Sequence, residues 1–462
     1  MSQPSAMSQP PKIMIVGAGL GGLMLGILLE KMGLEYNIYE RSTTLKPLGA
    51  AMGLGPNIMP VFEQLGILEE LRNISLPALS MDIFNGELDL IGSVGFAGKR
   101  ERQRIDAKRK QSTIGYDAVV FSRPDFHNLL LSKVPAEKIH YGKKVASIEQ
   151  SEDKAVLRCT DGTTYEGDIL IGADGAYSVV RQSMMDSLQK EGNLIKSDLL
   201  SLNLGYTCLV GTTRPLDPER YPALKDNHSH FSVVIANGKP HSCTILNVPG
   251  NRICYGIVVQ LSPEERETTF KNPEWSSQSV DSTISKIMGH KVPFGGTLGD
   301  FINETPKDLI SNVYLEEKMF ETWTHGRVAL LGDGAVNAMQ DAVILANCIY
   351  DLASNSRADV VATLEDYRQQ RYAYAKDAVA NSAASGKLLY GQTWFERLLR
   401  KAVFGWMPKW LEEILQNKSA AYQPQVTFLP PVPKRGTIKL IPQKESKRYQ
   451  EEKNRDPATI SM

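Results

Sequence analysis

The segment that most constrains this chain is a glycine-rich turn between two short apolar runs near the amino terminus. The run Ile13–Val16 (IMIV) leads into GAGLGG, and apolar residues then recur at helical spacing over residues 20–32. A second apolar run, Tyr36–Tyr39 (YNIY), ends at Glu40. This order predicts a β-α-β unit of about 30 residues whose first strand and helix are joined by a tight turn.

The three glycines of this turn have the spacing G-x-G-x-x-G, and each has a separate physical task. Gly17 permits the tight turn, Gly19 lets a pyrophosphate approach the backbone, and Gly22 lets helix and strand pack closely. The first helical turn offers free N–H groups and the positive end of the helix dipole to phosphate. Glu40 can accept hydrogen bonds from an adenosine ribose. Such a glycine motif alone is often only a structural turn, but with strand, helix and acid in register it predicts dinucleotide binding.

The composition of the chain disfavours several other classes of function. The 462 residues include 52 Lys and Arg against 52 Asp and Glu, so bulk charge does not favour nucleic-acid binding. The five cysteines are scattered without a C-x-x-C pair, which disfavours zinc and disulfide sites and fits a reducing compartment. Five glycines interrupt the apolar run from Ile13 to Leu29, so we expect no transmembrane span there. We also expect no metal centre in the chain.

Three further positions lie where predicted strands end. Residues 145–172 have the pattern of a β-hairpin followed by a buried strand, and that strand runs into Asp174. A later apolar strand runs into Asp333, and a helical pattern is already under way at Ala335. Arg123 lies between an apolar strand and a predicted helix, where an ordinary surface salt bridge is the alternative interpretation.

The middle and the end of the chain differ in character from its beginning. Strand-like runs separated by turn signals predict a mostly antiparallel sheet over residues 200–320, suited to walling a cavity. Within it, we interpret Tyr206 and His230 as packed or surface residues rather than catalytic ones. Residues 340–418 are predicted to be helical. The Pro- and charge-rich residues 421–462 are predicted to form a loosely packed tail.

Three segments with unusual composition each permit two interpretations. Small residues over 48–57 fit either a surface loop or a lining close to a flat ligand. The basic run 99–110 contains acidic residues and lacks aromatics, which favours a solvated loop over a nuclear signal or a phosphate patch. Residues 394–416 combine aromatic and aliphatic residues with Arg and Lys, which fits either a packed helix or a helix at a membrane surface. The apolar residues that carry this pattern are Trp394, Leu398, Phe404, Trp406, Trp410 and Leu411.

Three separated motifs resemble one family in their order and spacing. They are IVGAGLGGLMLGILL with the acid at Glu40, IGADGAYSVVR, and ALLGD followed by a helix containing NAMQDAVILA. Over residues 11–385 the chain is similar to the FAD-dependent aromatic-hydroxylase-like monooxygenases, the group of p-hydroxybenzoate hydroxylase, and most to its fungal epoxidase and hydroxylase branch. The resemblance implies an α/β (α+β composite) fold: a Rossmann-type FAD-binding domain, an inserted, mostly antiparallel β substrate domain and a helical C-terminal region. The implied division is 11–185 with 321–385 for the FAD-binding domain, 186–320 for the substrate domain, 386–420 for a helical segment and 421–462 for the tail.

The resemblance also implies roles for residues in the amino-terminal part. Gly17, Gly19 and Gly22 would hold the FAD pyrophosphate, and Glu40 would hold the adenosine ribose. Gly53 falls where that branch has a small residue in contact with the flavin.

Further roles are implied for residues beyond the first β-α-β unit. Arg123 matches an arginine that contacts FAD. Asp174, with Arg181, matches a motif associated with both FAD and transient NAD(P)H contact. Asp333 matches the aspartate that binds the ribityl-diphosphate part. Ala335 matches a small residue at the start of a helix that points at the flavin pyrimidine edge.

The chain departs from the family pattern directly after Asp333. The family has a loop of the kind A/S-x-H-x-x-x-P-x-x-G-Q-G-A there, whereas this chain continues at once with Gly334 and Ala335. About eleven family residues, including the His and Pro beside the flavin, have no counterpart. Either a gene-model or splicing loss or an authentic short variant explains the gap, and both put catalysis by this chain in doubt.

The implied activity is monooxygenation of a small, apolar or aromatic organic substrate by O2 through a C4a-hydroperoxyflavin. A single complete dinucleotide fingerprint favours transient docking of NAD(P)H over a second nucleotide domain. We expect no nucleic-acid partner and a cytoplasmic protein, with peripheral membrane contact through 394–416 as an option. The main alternative is an FAD-binding but catalytically impaired isoform. A flavin-dependent halogenase is disfavoured because WMPKW does not match W-x-W-x-I-P, and the other two motifs disfavour a plain NAD-dependent dehydrogenase.

Overall fold

The computed structural model describes most of the chain, and the secondary structure follows the predicted order. The described residues are 10–44, 49–96, 114–200, 203–235, 241–261, 284–285, 287–332, 334–390, 393–406 and 408–455. Asp333 and the basic run 99–110 therefore lie outside the described residues.

The strands are β1 Ile13–Val16, β2 Tyr36–Tyr39, β3 Ala51–Leu54, β4 Leu76–Asn85, β5 Leu90–Gly95, β6 Val119–Ser122, β7 Ile139–His140, β8 Val145–Gln150, β9 Ala155–Cys159, β10 Thr164–Gly167, β11 Ile169–Gly172, β12 Asn203–Thr212, β13 Ser229–Ile235, β14 His241–Val248, β15 Arg252–Gln260, β16 Ser311–Glu317, β17 Thr324–His325 and β18 Val328–Leu330. The α-helices are α1 Leu20–Met32, α2 Met59–Gln64, α3 Leu68–Asn73, α4 Arg123–Leu131, α5 Val179–Lys190, α6 Leu298–Asn303, α7 Ala335–Tyr350, α8 Arg357–Tyr390, α9 Trp394–Trp406, α10 Lys409–Ala420 and α11 Lys447–Arg455.

A six-stranded sheet organises the first part of the fold. Its order is β17-β18-β11-β1-β2-β7, and all neighbours are parallel except β17 and β18. Both faces of its strands are apolar because both are covered. One face packs against α1 and α7, and the other packs against α5 and the small antiparallel sheet β10-β9-β8. The near-continuous apolar runs of β1 and β11 thus have the composition expected of buried parallel strands.

A second, larger sheet follows the predicted antiparallel pattern with one exception. Its order is β16-β12-β15-β14-β13-β4-β6-β3, with β5 paired to β4. The pair β13 and β4 is parallel, whereas the other pairs are antiparallel. Strands β3 to β6 come from the first 122 residues. The sheet therefore extends beyond the division predicted at residues 186 and 320.

The prediction of a loosely packed tail is wrong for residues 421–455. Val426, Phe428 and Tyr449 are buried in the same apolar core as α1 and α7. Phe428 stacks on Tyr350 of α7 with ring centroids 5.0 Å apart. The high content of Pro and charge suggested an unpacked chain, but a few apolar residues are enough to anchor an extended segment along a helix. Within the described part of the chain, no helix has the length and apolarity needed to cross a membrane.

Candidate functional site: a crevice where four parallel strands end

The predicted site residues meet because their strands run in the same direction. In the sheet order, β18, β11, β1 and β2 are consecutive and parallel, so their carboxyl ends lie at one edge. The residues that follow these ends are Leu331, Ala173, Gly17 and Glu40. The chain leaves β1 toward β2 on one side and reaches β11 on the other, so the order reverses at β1. Ligands of open α/β sheets bind at this kind of reversal.

The glycine turn has the geometry that phosphate binding requires. Gly17 has φ +105°, and a Cβ there would lie 2.5 Å from the carbonyl oxygen of Ala173. A Cβ on Gly22 would lie 2.1 Å from the carbonyl oxygen of Gly17. Among the residues that the structure describes, a Cβ on Gly19 would meet only Ala173 O, at 4.0 Å. The protein's own packing thus excludes side chains at Gly17 and Gly22, whereas Gly19 borders open space.

That open space lies at the start of α1, whose N-cap residue Gly19 offers no side-chain cap. The first N–H groups of a helix lack partners within the helix and are satisfied by side chains, water or ligands. Here they can bind a pyrophosphate, with the helix dipole favouring negative charge. The turn therefore fits the phosphate part of a dinucleotide such as FAD.

Glu40 is held in place by the two loops that flank it. Its Oε2 accepts a hydrogen bond of 2.9 Å from the N–H of Ala18, and its Oε1 accepts one of 2.9 Å from the N–H of Ser42. The side chain is 8% exposed. Because each carboxylate oxygen can accept more than one hydrogen bond, the group can still bind ribose hydroxyls.

Helix α4 brings two side chains to the same region. Arg123 begins this helix, and its N–H donates to the carbonyl of Ala50 at 2.8 Å. The Arg123 side chain is open to solvent on one side, yet the protein around it lowers its pKa by desolvation. A Cβ on Gly49 would lie 3.0 Å from Arg123 Cδ, so the loop before β3 passes close to the arginine stem.

His127, which the sequence analysis did not single out, contacts the glycine turn directly. Its Nε2 lies 2.8 Å from the carbonyl oxygen of Ala18, so this nitrogen carries the proton. Burial lowers the pKa of His127, and the bond to Ala18 only partly offsets this, while Arg123 lowers it further. The spacing of four residues from Arg123 on one helix was the available signal, because such residues share a face.

Asp174 has a structural task that its motif did not reveal. Its Oδ1 accepts from the hydroxyl of Ser178 at 2.5 Å, and its Oδ2 accepts from the N–H of Val179 at 2.8 Å. Ser178 in turn caps α5 by accepting from the N–H of Arg181 at 2.9 Å. The carboxylate of Asp174 is thus engaged in holding the helix start, and the Arg181 guanidinium lies 4.4 Å from the centroid of the Phe320 ring.

The end of β18 is fixed by a buried acid on α7. The N–H of Gly332 donates to Asp341 Oδ2 at 2.9 Å, and Arg371 Nε donates to Asp341 Oδ1 at 2.6 Å. Both side chains of this ion pair are buried. Burial alone would lower the pKa of Arg371, but the carboxylate of Asp341 outweighs it and the pKa is raised. Ala335 begins α7 as predicted, with Gly334 before it.

A cavity of about 260 Å³ opens beside these strand ends. It lies between β11, β18, the start of α7 and one face of α8. Its lining includes Gly172, Asp174, Gly332, Asn337, Asp341 and Ser382. Because typical ligand pockets measure about 300–1,000 Å³, this cavity would hold only part of a dinucleotide.

Gly53 lies apart from the glycine turn. It is an exposed residue of β3, where it pairs with Val120 of β6. Its strand leads back to Ala51, which lies opposite Ser122, the residue before Arg123. The antiparallel pair of β3 and β6 therefore links Gly53 to the residue before Arg123. This pair belongs to the larger sheet and not to the parallel sheet.

Comparisons with known proteins agree with this geometry. A family model described as an FAD binding domain matches residues 11–382. The chain is 27% identical over 456 residues to the FAD-dependent monooxygenase ausM of Aspergillus calidoustus, covering 94% of this chain and 92% of that protein. It is 25% identical over 443 residues to the FAD-dependent monooxygenase atmM of Aspergillus flavus, covering 91% and 87%.

Among solved structures, the fold matches Klebsiella pneumoniae HpxO complexed with FAD and uric acid. The TM-score is 0.68 at 20% sequence identity, with 89% of this chain and 96% of that chain covered. The predicted fold class is confirmed, as are the predicted resemblance and the prediction of FAD as cofactor. The chain belongs to the FAD binding domain family and is an oxidoreductase of its FAD-dependent monooxygenase group.

Proposed function

We propose that this chain consumes NAD(P)H and inserts one oxygen atom of O2 into a small, apolar or aromatic organic substrate. The observation that carries the proposal is the crevice at β1 and β11, where the open side of Gly19, the uncapped start of α1 and Glu40 lie together. When bound there, FAD supplies the redox chemistry, accepting a hydride and activating oxygen.

In this proposal the chain's own residues bind and orient the cofactor and shield the reacting groups from water. The first turn of α1 binds the pyrophosphate, and Glu40 accepts from the ribose. His127 holds the carbonyl of Ala18 and so fixes the shape of the glycine turn. The start of α7 directs its positive dipole end toward the cavity, which favours negative charge on a group bound there.

The substrate is proposed to lie against the larger sheet, which packs on an apolar core separate from that of the parallel sheet. That core contains Ile245, Ile253 and Ile257 of β14 and β15, together with Phe301 of α6. Apolar walls exclude water, which a reaction with activated oxygen requires.

A catalytically impaired FAD-binding protein is the rival function, and a specific observation favours it. Only Asp333 and Gly334 separate Gly332 from the start of α7 at Ala335. Two residues span at most about 7 Å, so no loop can extend over a cofactor at this point. Shielding of the reacting ring from water would then have to come from elsewhere.

Isotope labelling separates the two functions. The chain and a variant with a family-type loop inserted after Asp333 are purified with FAD and supplied with NADPH or NADH and a panel of apolar aromatic and terpenoid substrates under 18O2. One 18O atom per product molecule from either protein supports monooxygenation. If only the variant gives product, the chain itself is impaired. If neither consumes NAD(P)H although both hold FAD, the proposed reaction is wrong.

We also propose that α9 and α10 rest on a membrane surface through which an apolar substrate reaches the enzyme. Trp394 of α9 is 76% exposed and Trp410 of α10 is 62% exposed. These two rings alone expose roughly 300 Å² of apolar surface, because an aromatic side chain carries about 150–250 Å². The other exposed apolar residues of the two helices are Phe395, Leu398, Leu399, Ile414 and Leu415.

The opposite sides of both helices are fixed to the molecule. Phe404 of α9 packs on β5, where a Cβ on Gly92 would lie 2.7 Å from it. On α10, the Gln416 side chain donates to the carbonyl of Gly95 at 2.5 Å. The apolar faces therefore point outward from an anchored pair. Residues 387–418 carry six Lys or Arg and three Glu. One of the six, Arg400, is buried and donates to the carbonyl of Leu388 at 2.7 Å. The other five basic residues outnumber the three Glu, which favours contact with anionic lipid.

Vesicle flotation tests this contact. We expect the chain to bind vesicles of phosphatidylcholine with phosphatidylserine, and Trp394→Ser with Trp410→Ser to reduce the bound fraction at least fivefold. Leu199→Ser is the matched control, because Leu199 is 59% exposed and lies outside the two helices. Equal binding of the double variant and the control would contradict the proposal.

A further inference from the structure

Two histidines and an aspartate converge on the larger sheet, away from the crevice. Asp226 and His228 lie in the loop after a 3-10 helix at Pro222–Lys225, and His230 lies in β13. The sequence analysis treated His230 as an ordinary residue and predicted no metal site. However, residues two apart in extended backbone project to the same side, which places the two imidazoles together.

The donor atoms of these three side chains are close enough to share one ion. One ligand atom of each residue lies within 4.8 Å of the others. His230 Nε2 is 2.7 Å from Asp226 Oδ2, and the ring centroids of His228 and His230 are 4.6 Å apart. A tetrahedral ion with bonds of about 2.0–2.1 Å needs donors about 3.4 Å apart, so small side-chain rotations suffice.

The backbone that carries both histidines is held rigidly. Asn247 of β14 is buried, and its Oδ1 accepts from the N–H of His230 at 2.7 Å. Its Nδ2 donates to the carbonyl of His228 at 3.3 Å. The hydroxyl of Ser229 donates to the carbonyl of Asn247 at 2.8 Å. One buried amide thus fixes the spacing of the two ligands, and such support orients metal ligands.

The three groups are also accessible from solvent. Asp226 is exposed and both histidines are half-buried, so an ion can enter from solvent. Two imidazoles and a carboxylate suit zinc and its neighbours in the first transition row.

We propose that Asp226, His228 and His230 form a site for a divalent ion of the zinc class. Water would take the fourth position, and the ion would tie the loop after Lys225 to β13. The site is separate from the flavin chemistry. A second histidine pair, His241 and His290, has ring nitrogens 3.0 Å apart. No carboxylate joins it among the described residues, so it offers fewer ligands.

Isothermal titration of the metal-free full chain with ZnCl2 tests the proposal. We expect one site per chain, with His228→Gln and His230→Gln each weakening the affinity at least tenfold and Asp226→Asn weakening it less. Zinc should raise the melting temperature of the wild type but not of His228→Gln with His230→Gln. Asp153→Asn and His325→Gln are the matched controls and should bind zinc as the wild type does.

Three results would overturn the proposal. The first is the absence of any heat of binding at 100 µM ZnCl2, which is about a hundred times the dissociation constant of a micromolar site. The second is an unchanged zinc affinity in both His228→Gln and His230→Gln. The third is loss of zinc binding in His290→Gln alone. The melting temperatures of the metal-free variants show whether they fold, and circular dichroism confirms it.

Discussion

At the scale of single residues, the glycine turn shows that one motif can combine separate physical demands. Gly17 and Gly22 are required by the protein itself, because a Cβ on either would meet backbone oxygen at 2.5 Å or 2.1 Å. Among the described residues, a Cβ on Gly19 would meet only Ala173 O at 4.0 Å, which leaves room for the proposed pyrophosphate. The spacing of the motif predicted the tight turn at Gly17 and the close packing at Gly22, whereas the phosphate contact of Gly19 stays a prediction.

Substitution of two of these glycines should therefore have different effects. Gly19→Ala should leave the free energy of unfolding of the apoprotein within about 0.5 kcal/mol of the wild type, the range for a tolerated substitution, while weakening FAD binding at least tenfold. Gly22→Ala should lower both the free energy of unfolding and the affinity for FAD. Urea denaturation and FAD fluorescence titration measure the two quantities. Equal destabilisation by both substitutions would contradict the distinction.

His127 predicts a pH dependence. Its pKa is lowered from the ordinary value of 6.5 because the folded protein buries it, so the unfolded chain takes up a proton first as the pH falls. The unfolded state then binds more protons, and the stability of the fold decreases as the pH falls below 6.5. His127→Gln keeps a donor for the carbonyl of Ala18, and its stability should depend less steeply on pH than that of the wild type.

Melting temperatures of both proteins between pH 8 and pH 5 give the comparison. Burial also lowers the pKa of His140 and His228, so the variant should keep the remainder of the slope. Identical slopes in the two proteins would show that His127 is not buried as a neutral group.

At the scale of elements, the sequence predicted which helices and strands exist better than it predicted the roles of individual side chains. The β-hairpin of β9 and β10, the strand β11 and the start of α7 at Ala335 all lie where the patterns placed them. Hydrophobic periodicity and turn residues act locally, so they can be read from a short segment. The capping task of Asp174 was missed because it depends on how α5 turns back over the strand end.

Asp341 also has a role in joining elements, and the sequence contained a sign of it. It is an acid within the apolar run NAMQDAVILAN, where a buried charge must have a partner. The partner, Arg371, is 30 positions away on α8, and local patterns cannot identify it. The pair holds β18, α7 and α8 together at the cavity.

Removal of one partner of this pair should be costly. Asp341→Leu should lower the free energy of unfolding by about 3–5 kcal/mol, because Arg371 is left buried without its countercharge. Asp341→Leu with Arg371→Met should recover most of that loss. Urea denaturation of the single and double variants measures it. A double variant no more stable than the single one would contradict the assignment of the cost to an uncompensated charge.

At the scale of the whole molecule, two features of the structure go beyond what the sequence patterns indicated, and they share one cause. The larger sheet takes strands β3 to β6 from the first 122 residues, and the segment 421–455 packs on α7. Both are contacts between segments far apart in the chain. Composition and periodicity describe a segment's own preference, and they contain little information about which distant partner covers it.

The packed carboxyl-terminal segment should contribute to stability. Phe428→Ala should lower the free energy of unfolding by about 3 kcal/mol, because the buried ring stacks on Tyr350 and leaves a cavity when removed. Lys439→Ala, at an exposed position of the same segment, should change it by less than about 0.5 kcal/mol. A loosely packed tail would give two equal, small effects in urea denaturation.

The measurement that tests the central claim most directly is the visible absorption spectrum of the purified chain after incubation with FAD and gel filtration. We expect a yellow protein with the bands of bound flavin at one FAD per chain, and a colourless Gly19→Ala variant that elutes and melts as the wild type does. A folded wild-type chain that emerges colourless would contradict the assignment of the crevice at β1 and β11 as an FAD site.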